Sequence, residues 1–497
     1  MSHFEKQSED NAHFPAKTYA DEILEPIFDF QRDYLYEVML QVHSAHSLML
    51  HKQNILTAEQ TKLILTAICS LSCENSKQWS YQSAFEDLFF MMEDKLGNMI
   101  GKDLAGNMHI AKSRNDMGVA MYRMVLRQHL LALIEEAQAL AEVLLYQAEI
   151  HKNTVMPAYT HTQPAQPTTF GHYLIAILDV LNRDIDRLWH AYDTVNQSPL
   201  GAAALSTTGF RIDRLLVAEL LGFSRIIENS YDAVAGGDYL LESATSVLVL
   251  MTNTGRWVQD FLQGAMKEFA AIRVSDAYVQ ISSIMPQKRN PVSLEHARSL
   301  ASSSVGEAHS VLQMIHNTPY GDIVDTEDDL QPHLYKAYEK ASRVLRVLTE
   351  VIRTMEINKK LLEERAGESC ITITELADVL TREKGVPFRT AHHMASGVAT
   401  YAAKMSKRLD HFTAAEVKEL LSVPLSVEEW RMIVSPLEFV KKRSVQGGPA
   451  PCEVERMCTE RREGLRCQRK TLALEKERLQ HANDQMGSFQ RALGVEA

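Results

Sequence analysis

The amino-acid sequence predicts an all-α fold: a long central helical bundle flanked by smaller N- and C-terminal helical domains. Three observations carry that expectation. Apolar residues recur at three- and four-residue spacings over long stretches, the pattern of helix faces. Prolines gather between those stretches. No series of alternating apolar and polar segments with hairpin turns appears, and a β-branched run such as the one starting at Cys370 stands alone.

At 497 residues the chain is too long for one compact core, and three regions are expected, 1–114, 115–365 and 366–497. The first reads as helical. The second opens with a helix over Gly118 to Ile150, rich in Leu, Ala and Glu and free of internal proline. Residues Met156 to Pro167 carry prolines at 157, 164 and 167, which predicts a loop or a broken lead-in to the next helix. That helix is expected from Thr169 to about Val195. Further on, Leu241, Ala244, Leu248, Met251, Gly255, Val258 and Leu262 fall on one helical stripe. Residues 281–291 are polar, with prolines at 286 and 291, and separate two helical regions. Another helix is expected from Leu334 to about Ile357. Helices of about 30 residues span ~45 Å each, and several side by side make a bundle. In the third region Gly447-Gly448-Pro449-Ala450-Pro451 precedes a densely charged segment, Glu453 to about Gln485, expected as a solvated surface helix with a fraying tail.

Composition narrows the function. With 45% hydrophobic and 23% charged residues the chain is globular in character. Its 52 Lys and Arg against 64 Asp and Glu give a net charge of −12, a poor footing for nucleic-acid binding. A small anionic substrate is still compatible, because the local field in a cleft outweighs net charge. Cys69, Cys73, Cys370, Cys452, Cys458 and Cys467 form no Cys-x-x-Cys pair and no zinc spacing with histidine, so free structural thiols in a reducing compartment are expected. The first residues carry charges where a secretion signal needs an apolar core. No apolar run reaches the ~18 residues of a membrane span, so a cytoplasmic location is expected.

One loop concentrates chemistry. Ser282-Ser283-Ile284-Met285-Pro286-Gln287-Lys288-Arg289-Asn290-Pro291 puts hydroxyls, cations and amides within a few residues of one another. A hydroxyl beside a fixed cation on a mobile loop suits anion chemistry. Ser113-Arg114-Asn115-Asp116 reads locally as a helix N-cap. Tyr159-Thr160-His161-Thr162-Gln163-Pro164-Ala165-Gln166-Pro167 places a histidine among loop residues.

Taken whole, the Ser282–Pro291 string resembles the signature loop of the aspartase/fumarase superfamily, in the form found in argininosuccinate lyases. Ser113 to Asp116 and Tyr159 to Pro167 resemble further motifs of that family, in the same order. So do Glu86-Asp87 with Glu93, Asn229-Ser230-Tyr231-Asp232-Ala233, and Gly385-Val386-Pro387-Phe388-Arg389-Thr390-Ala391-His392. The resemblance covers about residues 80 to 455.

What the resemblance implies is a carbon–nitrogen lyase that eliminates an amine from a succinyl-type substrate and releases fumarate. Such an elimination removes a weakly acidic proton beside a carboxylate, so the enolate-like dianion must be stabilised. By resemblance, Lys288 and Asn290 do this and Ser283 is the base. His161, oriented by Glu295, is a candidate acid or ionic partner for the leaving nitrogen. Ser113, Arg114, Asn115, Thr160, Gln163 and Tyr320 are candidate substrate ligands, an arginine fork being well matched to a carboxylate. No cofactor or metal is implied. The resemblance also implies a homotetramer in which three subunits build each site, with no nucleic-acid or membrane partner.

Several positions depart from the argininosuccinate lyase pattern. The acidic motif reads Glu86-Asp87-Leu88-Phe89, where the family ends in histidine, and Lys112 and Met117 flank the Ser113 motif. Ile281 replaces the glycine before the paired serines. After Tyr320 the family's glutamine and lysine facing the arginine part become Asp325 and Asp328 by ungapped matching. Two acids there would repel an arginine carboxylate and favour a more cationic amine; a shifted segment would leave them facing solvent. Three readings stay open: argininosuccinate lyase proper, a paralogue acting on another amine or aminopolycarboxylate adduct of fumarate, and a catalytically silent structural member.

Overall fold

The computed structural model describes residues 14–495. The secretion-signal reading rests on the first residues and lies outside that range. Five long helices organise the molecule: α1 (Arg114–Ile150), α2 (Phe170–Val195), α3 (Asp238–Gly264), α4 (Val292–Ile315) and α5 (Leu330–Thr354). Their starts are written in short polar side chains. Ser113 caps α1 through a reciprocal capping box with Asp116. Thr169 caps α2, its hydroxyl accepting from His172 N at 3.0 Å.

The five helices form a closed ring. α1 packs on α2, α2 on α3, α3 on α4 and α4 on α5, and α5 returns to α1. Each helix therefore has two principal neighbours within the ring and buries two flanks, which widens its apolar face. On α3, Ala244, Met251, Val258 and Leu262 are buried as expected, but Leu240, Val247, Leu250 and Phe261 join them. Tyr335 and Tyr338 of α5 are fully buried at the centre, and the Tyr338 hydroxyl donates to Ser243 O at 3.0 Å. The N-terminal helices, led by Tyr36–Lys52 and Ala58–Ser72, close over one end of α1.

The proline-rich stretch before α2 is not a loop. Strands β1 (Val155–Thr160) and β2 (Gln163–Thr169) form an antiparallel hairpin that sets Pro157 opposite Pro167 and Pro164 opposite Tyr159. A two-stranded ribbon has two outer edges, so prolines that lack an N–H are tolerated along it. The expected α5 boundary also moves: the helix starts at Leu330, one turn early, and stops at Thr354.

The C-terminal region holds a small separate core, with Leu376, Leu380, Ala395, Val398 and Trp430 among its residues. The charged segment becomes one helix, α6 (Pro451–Ala492), and its outer face is solvated as expected. Its inner face is a thin stripe of Val454, Met457, Cys458, Leu465 and Leu472 that joins the main core against α1. Arg461 pairs with Asp179 at 2.9 Å and Lys476 with Glu135 at 2.8 Å along its sides. No disulfide joins the cysteines. No helix among the described residues is long and apolar enough to cross a membrane.

Candidate active site

Three clusters hold the residues singled out above. The first gathers at the start of α1. Ser113 Oγ accepts from Asn115 N at 3.3 Å and bonds the Asn115 side-chain oxygen. Asp116, fully buried, accepts from Ser113 N, Gly201 N and Ala203 N, so the cap is anchored to a neighbouring loop. Burial pushes its carboxyl up to about 6, against the pull of those three N–H groups. Arg114 reaches back to Asp87 at 3.1 Å and Glu86 at 3.4 Å, its guanidinium 4.8 Å above the Phe90 ring. Asp87 in turn caps the helix Leu88–Ile100, accepting from Phe90 N at 3.1 Å.

The Tyr320 segment folds onto this cluster. Tyr320 stacks on Tyr231 with ring centres 6.0 Å apart and donates to Asp232 Oδ1 at 3.2 Å. Tyr231 donates back to Tyr320 O at 3.1 Å. Asn229 caps the helix Ser230–Ala235, which presents both Tyr231 and Asp232, so the Asn-Ser-Tyr-Asp-Ala motif is a bracket for Tyr320. Beyond it, the Asp322 carboxylate accepts from the Asn115 amide.

The second cluster is the signature loop. Strands β3 (Gln280–Ile281) and β4 (Arg289–Asn290) pair antiparallel and close the loop between them. Ser282 Oγ accepts from Ile284 N at 3.3 Å and Met285 N at 3.0 Å, and Lys288 N donates to Met285 O at 2.9 Å. Arg289 anchors the base of the loop to Val274 O at 3.2 Å and to Asp276. Ser283 and Lys288 are exposed, and their side chains form no hydrogen bond or ion pair among the described residues, nor does that of Asn290. One turn into α4, Glu295 is exposed too.

The third cluster is the tip of the β1–β2 hairpin, where Thr160, His161 and Gln163 are all exposed. His161 and Thr162 take φ of 49° and 64°. Two successive left-handed residues make the tight turn whose twist suits a hairpin. Glycine or asparagine usually fills such positions, and a β-branched threonine there is strained. Within one chain His161 and Glu295 share neither a hydrogen bond nor an ion pair, so the expected pairing is not made there.

Sequence reasoning put weight on Asp325 and Asp328, and the structure separates them. Asp325 is exposed on the short turn Val324–Thr326. Asp328 is half-buried beside Asp87 and Gln31, and burial, with Asp87 next, pushes its carboxyl up to about 6. Asp322 and Glu327 were not singled out, although the density of acids between Tyr320 and Asp329 was the available signal. Lys112, a departure from the family pattern, is held inward, with Nζ 2.8 Å from His43 Nδ1. No group of three or more His, Cys, Asp or Glu among the described residues is arranged to hold a metal ion.

Similarity to known proteins runs along nearly the whole chain. The family model for lyases matches residues 28–306, and that for the argininosuccinate lyase C-terminal region matches residues 370–441. Argininosuccinate lyase 2 of Agrobacterium fabrum is 39% identical, with 91% of each chain covered. Argininosuccinate lyase of Methanosarcina acetivorans is 36% identical over 88% of this chain and 89% of its own. Among solved structures, EDDS lyase in complex with formate superposes with a TM-score of 0.85 at 30% identity, covering 95% of both chains. The chain belongs to the argininosuccinate lyase family of carbon–nitrogen lyases.

Proposed function

We propose that the chain eliminates an amine from an N-substituted aspartate to release fumarate, with Ser283 as the base. The observation that carries this reading is the signature loop: Ser283 and Lys288 stand on one short loop, exposed and uncommitted to other partners. Ser283 takes the proton from the carbon beside a carboxylate. The electron pair passes into that carboxylate, where Lys288 and Asn290 stabilise the second negative charge. Collapse of the intermediate forms the fumarate double bond and breaks the carbon–nitrogen bond. His161, steered by Glu295, supplies or balances the proton on the departing nitrogen. Arg114, Ser113, Asn115, Thr160, Gln163 and Tyr320 hold the substrate, and the reaction asks for no cofactor or metal.

The proposed enzyme is a homotetramer acting in the cytoplasm, with three subunits contributing to each site. Support comes from the hairpin tip. The His161 side chain has no partner among the described residues, and a strained turn that projects a histidine outward fits delivery to a neighbouring copy. Domain limits at 114 and 365 are proposed with it.

A second reading is favoured by Asp328, which turns acid toward Arg114: the substrate is an adduct of an amine other than arginine. EDDS lyase, 30% identical to this chain and similar in structure, is named for a different compound. A fumarate-formation assay with argininosuccinate, run beside Ser283→Ala, tests the first reading. Fast turnover lost in the variant supports arginine metabolism. Slow turnover, with amine-dependent loss of fumarate in the reverse direction, supports the second. Silence in both directions removes both and leaves a structural protein.

A further inference from the structure

Two groups of candidate substrate ligands, Ser113 to Asn115 at the start of α1 and Tyr320, lie far apart in the chain. The stretch between Gln197 and Ala235 joins them. Gln197-Ser198 pairs in parallel with Arg225-Ile226, and Ile227 N donates to Ser198 O at 2.9 Å. Arg214, the first residue of the helix Arg214–Leu220, bridges the two loops that follow these pairs. Its Nε donates to Leu200 O at 2.9 Å. Its terminal nitrogens donate to Ile227 O at 2.8 Å, Glu228 O at 3.1 Å and Pro199 O at 3.4 Å. A planar guanidinium can hold carbonyls on two loops at once, which a single ammonium cannot do with the same geometry.

Each loop leads to one group of ligands. After Leu200, Gly201 N and Ala203 N both donate to Asp116 at 2.9 Å, and Asp116 also accepts from Ser113 N at 3.0 Å. After Glu228, Asn229 caps the helix that carries Tyr231 and Asp232, the bracket of Tyr320. Ser230 Oγ donates back to Leu205 O at 2.7 Å, and Ala202, Ile227, Ala233 and Val234 form a small apolar core of their own. The fit around Arg214 is close. Gly201 has φ of 84°, and a Cβ there would stand 2.6 Å from Arg214 Cγ. Ala203 and Thr207 take φ of 55° and 62°. Such backbone persists only where the surroundings fix it, and it gathers near ligand sites. Burial lowers the Arg214 pKa and the Asp116 carboxylate works against that, as expected for the two ends of one tie.

We propose that Arg214 is a positioning residue: through the Tyr231–Asp232 bracket it fixes Tyr320 relative to Ser113, Arg114 and Asn115, and so sets how tightly the substrate is held. It acts through Tyr320 and not on the reacting atoms. This rests on the fumarate-releasing reading above and adds a residue to it.

Argininosuccinate turnover by the full-length protein, with fumarate affinity by calorimetry, tests it. Arg214→Gln is expected to raise the KM for argininosuccinate and the Kd for fumarate about tenfold, with kcat within about threefold of wild type. A merely structural arginine would lower the thermal midpoint and the active fraction, hence kcat, and leave KM in place. Gly201→Ala displaces the same guanidinium without removing its charge, and serves if Arg214→Gln unfolds; the same shift is expected. In a Tyr320→Phe background, which lacks the hydroxyl that reaches Asp232, Arg214→Gln should change KM by less than about threefold. If the wild type does not turn over argininosuccinate, fumarate affinity gives the same comparisons. An equal change in both backgrounds, a KM and Kd unmoved by either variant, or unfolding of both variants overturns the proposal while the lyase reading stands. A wild type that neither turns over argininosuccinate nor binds fumarate overturns both.

Discussion

Lys112 Nζ donates to His43 Nδ1 at 2.8 Å in the protein interior, one residue before the serine that caps α1. Burial holds the Lys112 amine down to about 7, and Asp116 and Glu93 only partly offset it. Burial also keeps His43 well below its ordinary value, with Lys112, His109 and His46 adding to the effect. Neither group welcomes a proton in the folded state. The unfolded chain binds the lysine proton more tightly between about pH 7 and 10.5, so stability should rise with pH across that window. Thermal midpoints should climb from neutral to alkaline pH more steeply in the wild type than in Lys112→Met. Parallel pH profiles would mean that the amine keeps its water.

Removing Lys288, the cation proposed to stand opposite the nascent dianion, should cost rate far more than stability. Lys288→Met is expected to lower kcat about a hundred- to a thousandfold. Its thermal midpoint should stay within a degree or two, since the side chain is exposed and unpaired. Steady-state kinetics and a melting curve on one preparation check both. A variant within threefold of wild type would remove Lys288 from the reaction.

Mixing separates a shared site from one built within a chain. Ser283→Ala and His161→Asn should each be inactive alone. Refolded together from denaturant, they should regain part of the activity, because some mixed sites combine an intact serine with an intact histidine from another copy. No recovery, with tetramers confirmed by light scattering, would place both groups in one subunit.

The hairpin turn trades stability for placement. Thr162 holds φ at 64°, a conformation glycine adopts freely. Thr162→Gly is expected to stabilise the chain by up to about 1 kcal/mol. It should also lower kcat, by loosening the turn beside His161. Denaturant unfolding and kinetics measured together decide it; a stabilised variant with full activity would make the turn geometry incidental.

In the C-terminal region Glu375 is almost fully buried and gathers Arg443 at 2.7 Å, Arg382 at 3.1 Å and Lys442 at 3.2 Å. Burial raises its carboxyl, but these cations outweigh burial and hold it below the ordinary value. Its contribution is therefore present above the unfolded carboxyl range and fades as the solution is acidified. Glu375→Ala leaves three cations around an empty place and should destabilise by about 3–5 kcal/mol. Calorimetry should show the transition of the small C-terminal core moving to lower temperature.

The bundle was legible in the sequence because its signals are local. Ser113 and Thr169 mark where α1 and α2 begin, and the three-and-four spacing of Ala244, Met251 and Val258 marks a buried face. What was not legible depends on partners distant in sequence. Prolines 157, 164 and 167 read as helix breakers, and only a two-stranded ribbon with two free edges accommodates them. Sequence spacing cannot tell Asp325 from Asp328. One faces water from a short turn and the other turns inward because α5 begins two residues later. Asp322 meets Asn115, far earlier in the chain, and Glu327 lies against Asp322. The expected pairing of His161 with Glu295 is not made within one chain, and sequence spacing carries no sign of that.

The closed ring of helices also governs how the molecule comes into being. Four of its seams join ring helices that follow one another along the chain, but the fifth joins α1 to α5, the first to the last. While the chain leaves the ribosome, α1 is finished long before the helix that covers its second flank exists. Closing so wide a loop is slow, and in the interval an apolar flank of α1 is exposed to other nascent chains. Fragments that stop before residue 330 should therefore aggregate, and synthesis of the whole protein should benefit from a chaperone that shields α1 until the ring shuts.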